Sequence, residues 1–333
     1  MRQNRTRDNI RRKRRIKRKK RRVALFRWIL FLTMLFTILS FAAFVTYKIY
    51  EGATYLYNEY MVARESYMER KESQGVNTAR LDGYTNALIM GVDEGVGIDG
   101  AQGLHADTIF FVSMDLNNGR LRAIAIPPDT YVDGAEGTGR IATFYANGGS
   151  PRMVRAVSEF LRVSIHQYIT VNTKAFEELI DALGGIDIYV EDDMNYEDAA
   201  GNISIHLKKG YQRLNGKQAA DFLRYRNTAL GDMGRVQRQQ KFMKALYQRL
   251  LQIDTVSKLP KVAEIFKNDV ETSAEIFDSA HIANTIRKFS SDPPIIITLP
   301  GEYQPGERIW EPNYEETEAK LQEFFPNVSE TER

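Results

Sequence analysis

Residues 87–126 read ALIMGVDEGVGIDGAQGLHADTIFFVSMDLNNGRLRAIAI and contain three short apolar runs. A glycine-bearing loop separates the first two runs, and Asn118-Gly119 separates the second from the third. Asn-Gly between apolar runs is the strongest short-range signal for a β-hairpin. The sequence therefore predicts three strands, at 87–92, 108–114 and 121–126.

Beyond this stretch, strand patterns alternate with amphipathic helical patterns. The predicted strands are 166–171, 186–190, 203–207 and a closing pair, 294–299 with 308–310. The predicted helices are 150–163, 173–183, 215–222, 233–251, two within 257–289, and 313–325. Such alternation is typical of a sheet covered by helices. We therefore predict the α/β class, with an α–β–α sandwich around a mixed central sheet.

The N-terminal end of the chain is strongly basic and is followed by an apolar segment. Residues 1–22 carry fourteen Lys or Arg and one acid, and residues 28–47 carry no charge. Twenty helical residues at ~1.5 Å each just cross a bilayer core of ~30 Å, whereas the apolar region of a signal peptide is usually ~7–15 residues. The positive-inside rule places the N-terminus in the cytoplasm. We expect a single-pass protein of a bacterial cell membrane, with one transmembrane helix and an extracytoplasmic C-terminal domain.

The chain is expected to have five regions. They are a basic cytoplasmic tail (1–22), a transmembrane signal anchor (23–47), a juxtamembrane stalk (48–80), an extracytoplasmic domain (81–325) and a flexible tail (326–333). About 250 residues are enough for one large domain with a buried core. Cysteine is absent, which excludes disulfides, thiol nucleophiles and zinc–thiolate sites.

The basic tail has two candidate partners, both of them polyanions. Blocks of like charge often bind nucleic acid, but no helix-turn-helix or zinc-finger pattern accompanies this one. Its position beside the apolar segment favours anionic membrane lipid, at ~1 kcal/mol per charge. We expect lipid contact at the tail and no nucleic-acid partner, which makes a transcriptional regulator the weakest of the functional hypotheses.

Residues 210–240 contain arginines at spacings that suit a pyrophosphate. If the segment from Arg224 to Arg226 is extended, both guanidinium groups project from one face. A helix capped by Asp232 would place three further side chains on one side; these are Arg235, Arg238 and Gln239. Arginine forks match phosphate oxygens in a bidentate way. The sequence thus predicts a diphosphate site, with a solvated, charged turn as the alternative.

Two aspartates flank the loop between the first two predicted strands. Asp93 ends the first strand, and Asp107 precedes the second. If these strands are antiparallel neighbours, both carboxylates lie at one end of the sheet. Mg²⁺ prefers one or two carboxylates together with substrate phosphates, so the pair predicts a Mg²⁺ site. The alternative is that each aspartate only caps its loop.

Several short motifs, in this order, resemble the LytR-CpsA-Psr family over about residues 86–325. They are Gly91-Val92-Asp93, Ala106-Asp107-Thr108, Asp129-Thr130-Tyr131, Gly148-Gly149, Leu183-Gly184-Gly185-Ile186 and the segment 210–239. The resemblance implies an α–β–α domain that binds a polyprenyl pyrophosphate-linked glycan. It also implies that the domain transfers the phosphoglycan to a hydroxyl of peptidoglycan.

The family also implies roles for residues of this chain by position. Asp93 and Asp107 would hold Mg²⁺. The pyrophosphate contacts would be Arg224, Arg226, Arg235 and Gln239. Catalysis would depend on Asp107, Arg224 and Arg226.

Two positions depart from the family pattern, which usually has arginine where this chain has His105 and Pro128. Imidazole is charged only below about pH 6.5, and proline has no donor. Loss of one charge-stabilising donor can cost ~10²–10³ in rate. Arg140 or Arg122 could replace the missing charge spatially. The sequence leaves two functions open: a Mg²⁺-dependent transferase, or a catalytically weakened module that binds the lipid-linked polymer.

Overall fold

The computed structural model describes residues 28, 31–55, 57–58, 61, 83–96, 102–198, 203–225, 231–274, 278–304 and 308–325. The chain divides into two units, residues 1–63 and 64–333. The basic tail (1–22), most of the predicted stalk (48–80) and the C-terminal tail (326–333) lie outside the described residues.

The described part of the first unit contains a long apolar helix, α1 (Phe31–Tyr55). Its 25 residues have a mean hydropathy of 1.7 in the most apolar window. The large apolar side chains of α1 are exposed, for example Phe36 at 71% and Phe41 at 69%. By length and composition α1 is able to cross a membrane, and it continues past residue 47 into the predicted stalk.

The second unit is built from short strands and helices. The strands are β1 (Tyr84–Val96), β2 (Gln102–Asp115), β3 (Leu121–Ala125), β4 (Tyr131–Gly134), β5 (Gly137–Arg140), β6 (Gln167–Asn172), β7 (Ile186–Val190), β8 (Met194–Asp198), β9 (Ile203–Leu207), β10 (Gly210–Leu214), β11 (Val270–Thr272), β12 (Ile295–Thr298), β13 (Gly301–Tyr303) and β14 (Trp310–Pro312). The helices are α2 (Ala142–Ala146), α3 (Gly149–Leu161), α4 (Thr173–Ala182), α5 (Gly216–Arg224), α6 (Gly231–Leu250), α7 (Leu259–Asp269), α8 (Ser279–Arg287) and α9 (Tyr314–Phe324). A 3₁₀ segment, Ile253–Lys258, joins α6 to α7.

Six strands form a central sheet in the order β11-β6-β1-β2-β3-β12. β1, β2 and β3 are antiparallel neighbours, while β6 runs parallel to β1 and β12 runs parallel to β3. The sheet is therefore mixed, as predicted. The β2–β3 hairpin turns at Gly119, whose φ is +70°. A Cβ there would lie 1.9 Å from the carbonyl oxygen of Lys288, so only glycine fits.

The two faces of the sheet are covered by different helices. Successive side chains of a strand point to opposite faces, so on β2 Ile109 and Phe111 join one core and Phe110 joins the other. The larger core contains residues of α2, α3 and α9, and the smaller contains residues of α6. This arrangement is the predicted α–β–α sandwich.

A third core fixes α5 relative to its neighbours. Apolar side chains from α4, α5, α6 and the strands β7 to β10 pack together there. α5 begins with a capping box, in which Asn215 accepts from the backbone N–H of Gln218 at 2.9 Å and the Gln218 side chain accepts from the backbone N–H of Asn215 at 3.1 Å. Such caps stabilise a helix by about 1 kcal/mol. The C-terminal end of α5 is held by this core, in which Phe222 packs with residues of α4 and α6.

The structure corrects the predicted elements in three places. The segments 294–299 and 308–310 do not pair with each other, because β12 pairs with β3 and β14 with β13. β1 and β2 extend further toward their connecting loop than predicted, so Asp93 and Asp107 lie inside strands. Several short elements were not predicted, since three to five residues carry little periodic signal; they are α2, β4, β5, β8, β10, β11 and β13.

Candidate active site

Asp93 and Asp107 lie on neighbouring strands, at the end of the sheet toward which β1 runs. Asp93 is opposite His105, a residue only 8% exposed, whereas Gly91 is opposite Thr108. The register therefore shifts by one residue, and Asp107 is the extra residue of a β-bulge. Bulges change the direction of side chains near sites. The two carboxylates expected to hold Mg²⁺ share this end of the sheet.

Arg224 connects Asp93 to helix α4. Its Nη2 donates to Asp93 Oδ2 at 2.5 Å and to Thr173 Oγ1 at 2.9 Å. The hydroxyl of Thr173 donates to Asp93 Oδ1 at 3.3 Å. The side chains of Arg224 and Asp93 are 34% and 35% exposed, so a ligand can reach this ion pair.

Two helix ends position these three groups. α4 begins at Thr173, and Asn172 caps it by accepting a hydrogen bond from the backbone N–H of Ala175 at 2.8 Å. Arg224 is the last residue of α5, so the predicted extended conformation is wrong for this residue. The buried face of α5 continues to Phe222, and the helical conformation continues two residues further, to Arg224. Arg226 lies outside the described residues.

Helix α6 brings a second set of polar side chains to β2 and to the end of α5. Gln239 Nε2 donates to Thr108 Oγ1 at 2.9 Å, and Thr108 directly follows the bulge. Arg238 Nη2 donates to the backbone carbonyl of Tyr225, and its guanidinium carbon lies 5.5 Å from the centroid of the Tyr225 ring. α6 already includes Gly231, so Asp232 lies inside the helix and not at its N-cap as predicted.

Two arginines of α6 are buried close together. Arg235 is 4% exposed and Arg238 is 7% exposed. Burial lowers the pKa of Arg238, and the positive charge of Arg235 lowers it further, against opposing contributions from Tyr225 and Glu191. Because a guanidinium stays protonated in proteins, two like charges are held in a poorly solvated place. An anionic ligand would offset both the loss of solvation and the repulsion between the two arginines.

The carboxylates fit Mg²⁺ when a phosphate completes the ligand set. Within the described part of the chain, no group of three or more His, Asp or Glu side chains could hold a metal. Asp93 and Asp107 supply two carboxylates, and each oxygen of Asp93 accepts one hydrogen bond. A carboxylate oxygen can accept two, so each oxygen of Asp93 keeps a lone pair that can bind a metal ion. One or two carboxylates with waters and substrate phosphates are the usual set for this ion.

Pro128 lies in the turn after β3, and one of the two arginines considered as replacements is near it. Arg140 Nε lies 3.9 Å from Oδ1 of Asp129, the residue after Pro128. Arg122 lies near the opposite end of β3 and donates to the carbonyl of Phe324 at 2.8 Å. Arg140 is therefore the arginine that can supply charge beside Pro128.

Two threonines of the site were not singled out from the sequence. Thr173 bonds both Asp93 and Arg224, and Thr108 bonds Gln239. Each follows a residue of interest, since Thr173 comes after the helix cap Asn172 and Thr108 comes after Asp107. Their hydroxyls fix the orientation of charged and amide groups, and this role depends on tertiary packing that has no local sequence signal.

The chain matches the LytR_cpsA_psr family model over residues 51–325. It is 35% identical over 195 residues to "Regulatory protein MsrR" of Staphylococcus aureus (strain COL), a match that covers 58% of this chain and 57% of MsrR. The chain thus spans little more than half the length of that relative.

Two further relatives are matched over more of their length. "Polyisoprenyl-teichoic acid--peptidoglycan teichoic acid transferase TagU" of Bacillus mycoides (strain KBAB4) is 29% identical over 275 residues, which cover 78% of this chain and 86% of TagU. The crystal structure of B. subtilis TagV has a TM-score of 0.62 and 28% identity, and it covers 74% of this chain and 98% of TagV. The sandwich described above is therefore a fold that this chain shares with TagV.

Proposed function

The chain belongs to the LytR-CpsA-Psr family, and from that premise we propose that it is a membrane-anchored phosphotransferase. Its donor would be a phosphoglycan carried on polyprenyl pyrophosphate, and its acceptor would be a hydroxyl of peptidoglycan. The relative TagU is a polyisoprenyl-teichoic acid–peptidoglycan teichoic acid transferase by name, and this supports the same reaction class for the present chain.

The proposal includes a location. α1 would cross a bacterial cell membrane, with the basic tail (1–22) on anionic lipid at the cytoplasmic surface. The domain that contains the sheet would then lie outside the cytoplasm, where peptidoglycan is found. The strongly basic residues before α1 and their scarcity of acid support this orientation.

The observation that carries the proposal is the pair of buried guanidinium groups on α6. Both side chains are buried, and the charge of Arg235 lowers the pKa of Arg238; arginine forks of this kind match the oxygens of a diphosphate. Gln239 connects the same helix to Thr108 beside the bulge. Arg238 connects it to Tyr225, the residue after Arg224.

We assign the pyrophosphate to the space where these groups converge. Its contacts would be Arg224, Arg226, Arg235 and Gln239. Arg224 uses Nη2 for both of its hydrogen bonds within the described part of the chain, so the other guanidinium nitrogens can donate to a phosphate oxygen. Arg238 would be a positioning residue, because its hydrogen bond fixes the end of α5.

Asp93 and Asp107 would hold Mg²⁺, which when bound neutralises charge on the phosphate oxygens. In the transfer, an acceptor hydroxyl attacks the sugar-side phosphorus, the P–O bond to the second phosphate breaks, and polyprenyl phosphate leaves with the electron pair. A base, either Asp107 or Asp232, would take the proton of the hydroxyl. Arg224 and Arg226 hold the oxygens on which charge develops.

A second candidate is a binding module with weakened turnover. Pro128 lacks the donor usual in the family, and His105 stands opposite Asp93. Arg140 beside Asp129 favours the transferase, because it places a guanidinium next to the turn that contains Pro128. Replacing Pro128 with Arg separates the two: a large gain of turnover without a gain of affinity would support the binding module.

The transferase is tested with the full chain in detergent, a polyprenyl pyrophosphate-linked saccharide, peptidoglycan fragments and Mg²⁺. We expect release of polyprenyl phosphate together with a phosphosaccharide joined to the glycan. Asp107→Asn should abolish the release, while Asp187→Asn should not, because Asp187 pairs with Arg213 in the two-stranded sheet of β7 and β10. Lipid binding without any release would establish the binding module instead.

A further inference from the structure

A cavity of about 260 Å³ lies between the β4–β5 hairpin, helix α3 and the start of α9. No residue of the candidate active site lines it. We propose that this cavity is a subsite for one neutral, pyranose-sized sugar residue of the acceptor glycan. The assignment to the acceptor rests on the proposed transferase, but the binding of sugar can be measured without turnover.

The cavity has an apolar floor and an aromatic rim. Val132, Phe144 and Ala156 line it and are all buried. Phe160 and Tyr314 line its edge, with ring centroids 5.8 Å apart and ring planes inclined by 70°. Tyr314 is 59% exposed although it packs on Phe160. Aromatic rings with one polar end suit a ligand that is apolar on its faces and polar at its edges, as a sugar ring is.

Carboxylates provide the hydrogen-bond acceptors of the cavity. Glu159 accepts from the backbone N–H of Ala135 at 2.9 and 3.0 Å, and Asp133 accepts from the hydroxyl of Thr138. These bonds fix the carboxylates without using all of their acceptor capacity, since two oxygens offer about four lone-pair positions. Sugar hydroxyls can donate to the positions that remain.

Arg162 provides donors at the mouth of the cavity and does so from a strained backbone. Its φ is +52°, and no other non-glycine residue in the described part of the chain has a positive φ. It follows the end of α3, where a left-handed residue is usually glycine. Strained residues of this kind concentrate at functional sites. Tyr314 adds a second donor, because a phenol is protonated at neutral pH; burial, followed by the charge of Asp133, raises its pKa further.

The charges of the lining select the kind of ligand. Three carboxylates line the cavity with one guanidinium, Arg162; the carboxylates are Asp133, Glu136 and Glu159. Glu136 is already paired with Arg155 at 2.6 Å. Glu136 also lies 3.7 Å from Arg152, so the lining offers no excess of positive charge that would attract a polyanionic phosphodiester polymer. No three acids or histidines in the described part of the chain form a metal group, so a neutral polyhydroxylated ligand fits better than a cation.

The position of the cavity agrees with an acceptor subsite. β1 and β3 run in the same direction, because both are antiparallel to β2. Their C-terminal ends therefore lie at the same end of the sheet, and Asp93 lies at this end. The β4–β5 hairpin follows β3 directly and leaves the sheet at the same end. A glycan held in the cavity lies on the α3 face of the sheet and can extend over this end toward the phosphate site on the α6 face.

The test is a calorimetric titration of the full chain in detergent with N-acetylchitotetraose, a neutral sugar oligomer, and with poly(glycerol phosphate), an anionic polymer of the donor type. We expect saturable binding of the tetrasaccharide only. Tyr314→Ala should weaken this binding by about tenfold, and Glu159→Gln should weaken it less. Tyr131→Ala is the matched control, because Tyr131 is 42% exposed on the same hairpin but does not line the cavity.

The proposal is overturned if the tetrasaccharide does not bind, if Tyr314→Ala and Tyr131→Ala behave alike, or if poly(glycerol phosphate) takes the site. Farnesyl pyrophosphate binding is measured in the same preparations to separate this proposal from the transferase. Loss of sugar binding in Tyr314→Ala with normal pyrophosphate binding supports the subsite. Sugar binding in a chain that binds no pyrophosphate would contradict the transferase and the acceptor assignment together.

Discussion

Helix α6 contains buried arginines toward both of its ends, and their bonding partners differ. At the C-terminal end, Arg249 is 2% exposed and bonds both oxygens of Asp254 at 2.8 Å. It also donates to the carbonyl of Leu183 through Nε at 2.9 Å. Toward the N-terminal end, Arg238 donates to a neutral carbonyl and lies near the charge of Arg235.

This difference in partners indicates that Arg249 is structural, whereas Arg235 and Arg238 are arranged for a ligand. Leu183 is the C-cap residue of α4, so Arg249, together with Lys258, satisfies a carbonyl at a helix C-terminus. Its charge is balanced inside the protein by Asp254. At Arg238, by contrast, burial and the neighbouring positive charge of Arg235 lower the pKa, and two like charges held close together favour an anion. One helix therefore connects a structural contact to the candidate phosphate site.

The largest expected effect on stability is at Arg249. Among the described residues, Arg249→Met leaves Lys258 as the remaining side-chain donor to both the Leu183 carbonyl and the Asp254 carboxylate. We expect a loss of about 2–4 kcal/mol, visible as a lower Tm by differential scanning calorimetry. Transfer activity measured well below that Tm should be nearly normal. A variant that is stable but inactive would contradict the structural role.

The opposite pattern is expected at Arg235. Arg235→Met should lower transfer by ~10²–10³, the cost of losing one charge-stabilising donor. Its Tm should change much less than that of Arg249→Met, because the substitution removes one of two neighbouring like charges. Activity and Tm of both variants are measured side by side. Equal losses of Tm would remove the distinction between the two ends of α6.

A smaller effect is expected at Arg224. Arg224→Lys keeps the charge but loses the planar fork, so affinity for a pyrophosphate ligand should fall by about tenfold. Arg213→Lys is the matched control, since Arg213 also pairs with an aspartate, Asp187, at 2.6 Å. Isothermal titration with farnesyl pyrophosphate compares the two. Similar affinities for both variants would exclude Arg224 from the ligand contacts.

The smallest expected effect is a pH dependence at the structural end. Hydrogen bonds from Arg249, then from Lys258, hold the pKa of Asp254 below its usual value. A depressed folded pKa gives stability that is present above the unfolded value, ~3.9, and that is lost as the pH falls toward the folded pKa. The Tm difference between wild type and Asp254→Asn should therefore be constant from pH 5 to 8 and shrink below about pH 4. A difference that shrinks near pH 6.5 would point to a histidine instead.

The sequence predicted the sheet better than the site geometry. The strands around Asn118-Gly119 were predictable because alternating apolar residues and a turn dipeptide are local signals. The end of α5 was not, because Arg224 continues a helix whose stability comes from packing with α4 and α6. The bulge at Asp107 was equally hidden, since a register shift appears only when two strands pair.

The same contrast applies to the arginines of α6. Their three- and four-residue spacing predicted that Arg235, Arg238 and Gln239 share a side of one helix. The sequence did not separate Arg238, which fixes Tyr225, from residues that face a ligand. It also assigned no role to Arg249, whose partners are 66 and five positions away. Spacing reports which residues share a helix face, and burial decides what each one contacts.

The most direct measurement is the affinity of the full chain for farnesyl pyrophosphate, with Mg²⁺ present, in wild type, Arg235→Met and Arg249→Met. We predict that Arg235→Met binds at least ~10-fold more weakly than wild type, while Arg249→Met, measured below its Tm, binds as wild type does. Equal affinity in all three proteins, or a loss only in Arg249→Met, would contradict the assignment of the pyrophosphate to the N-terminal half of α6.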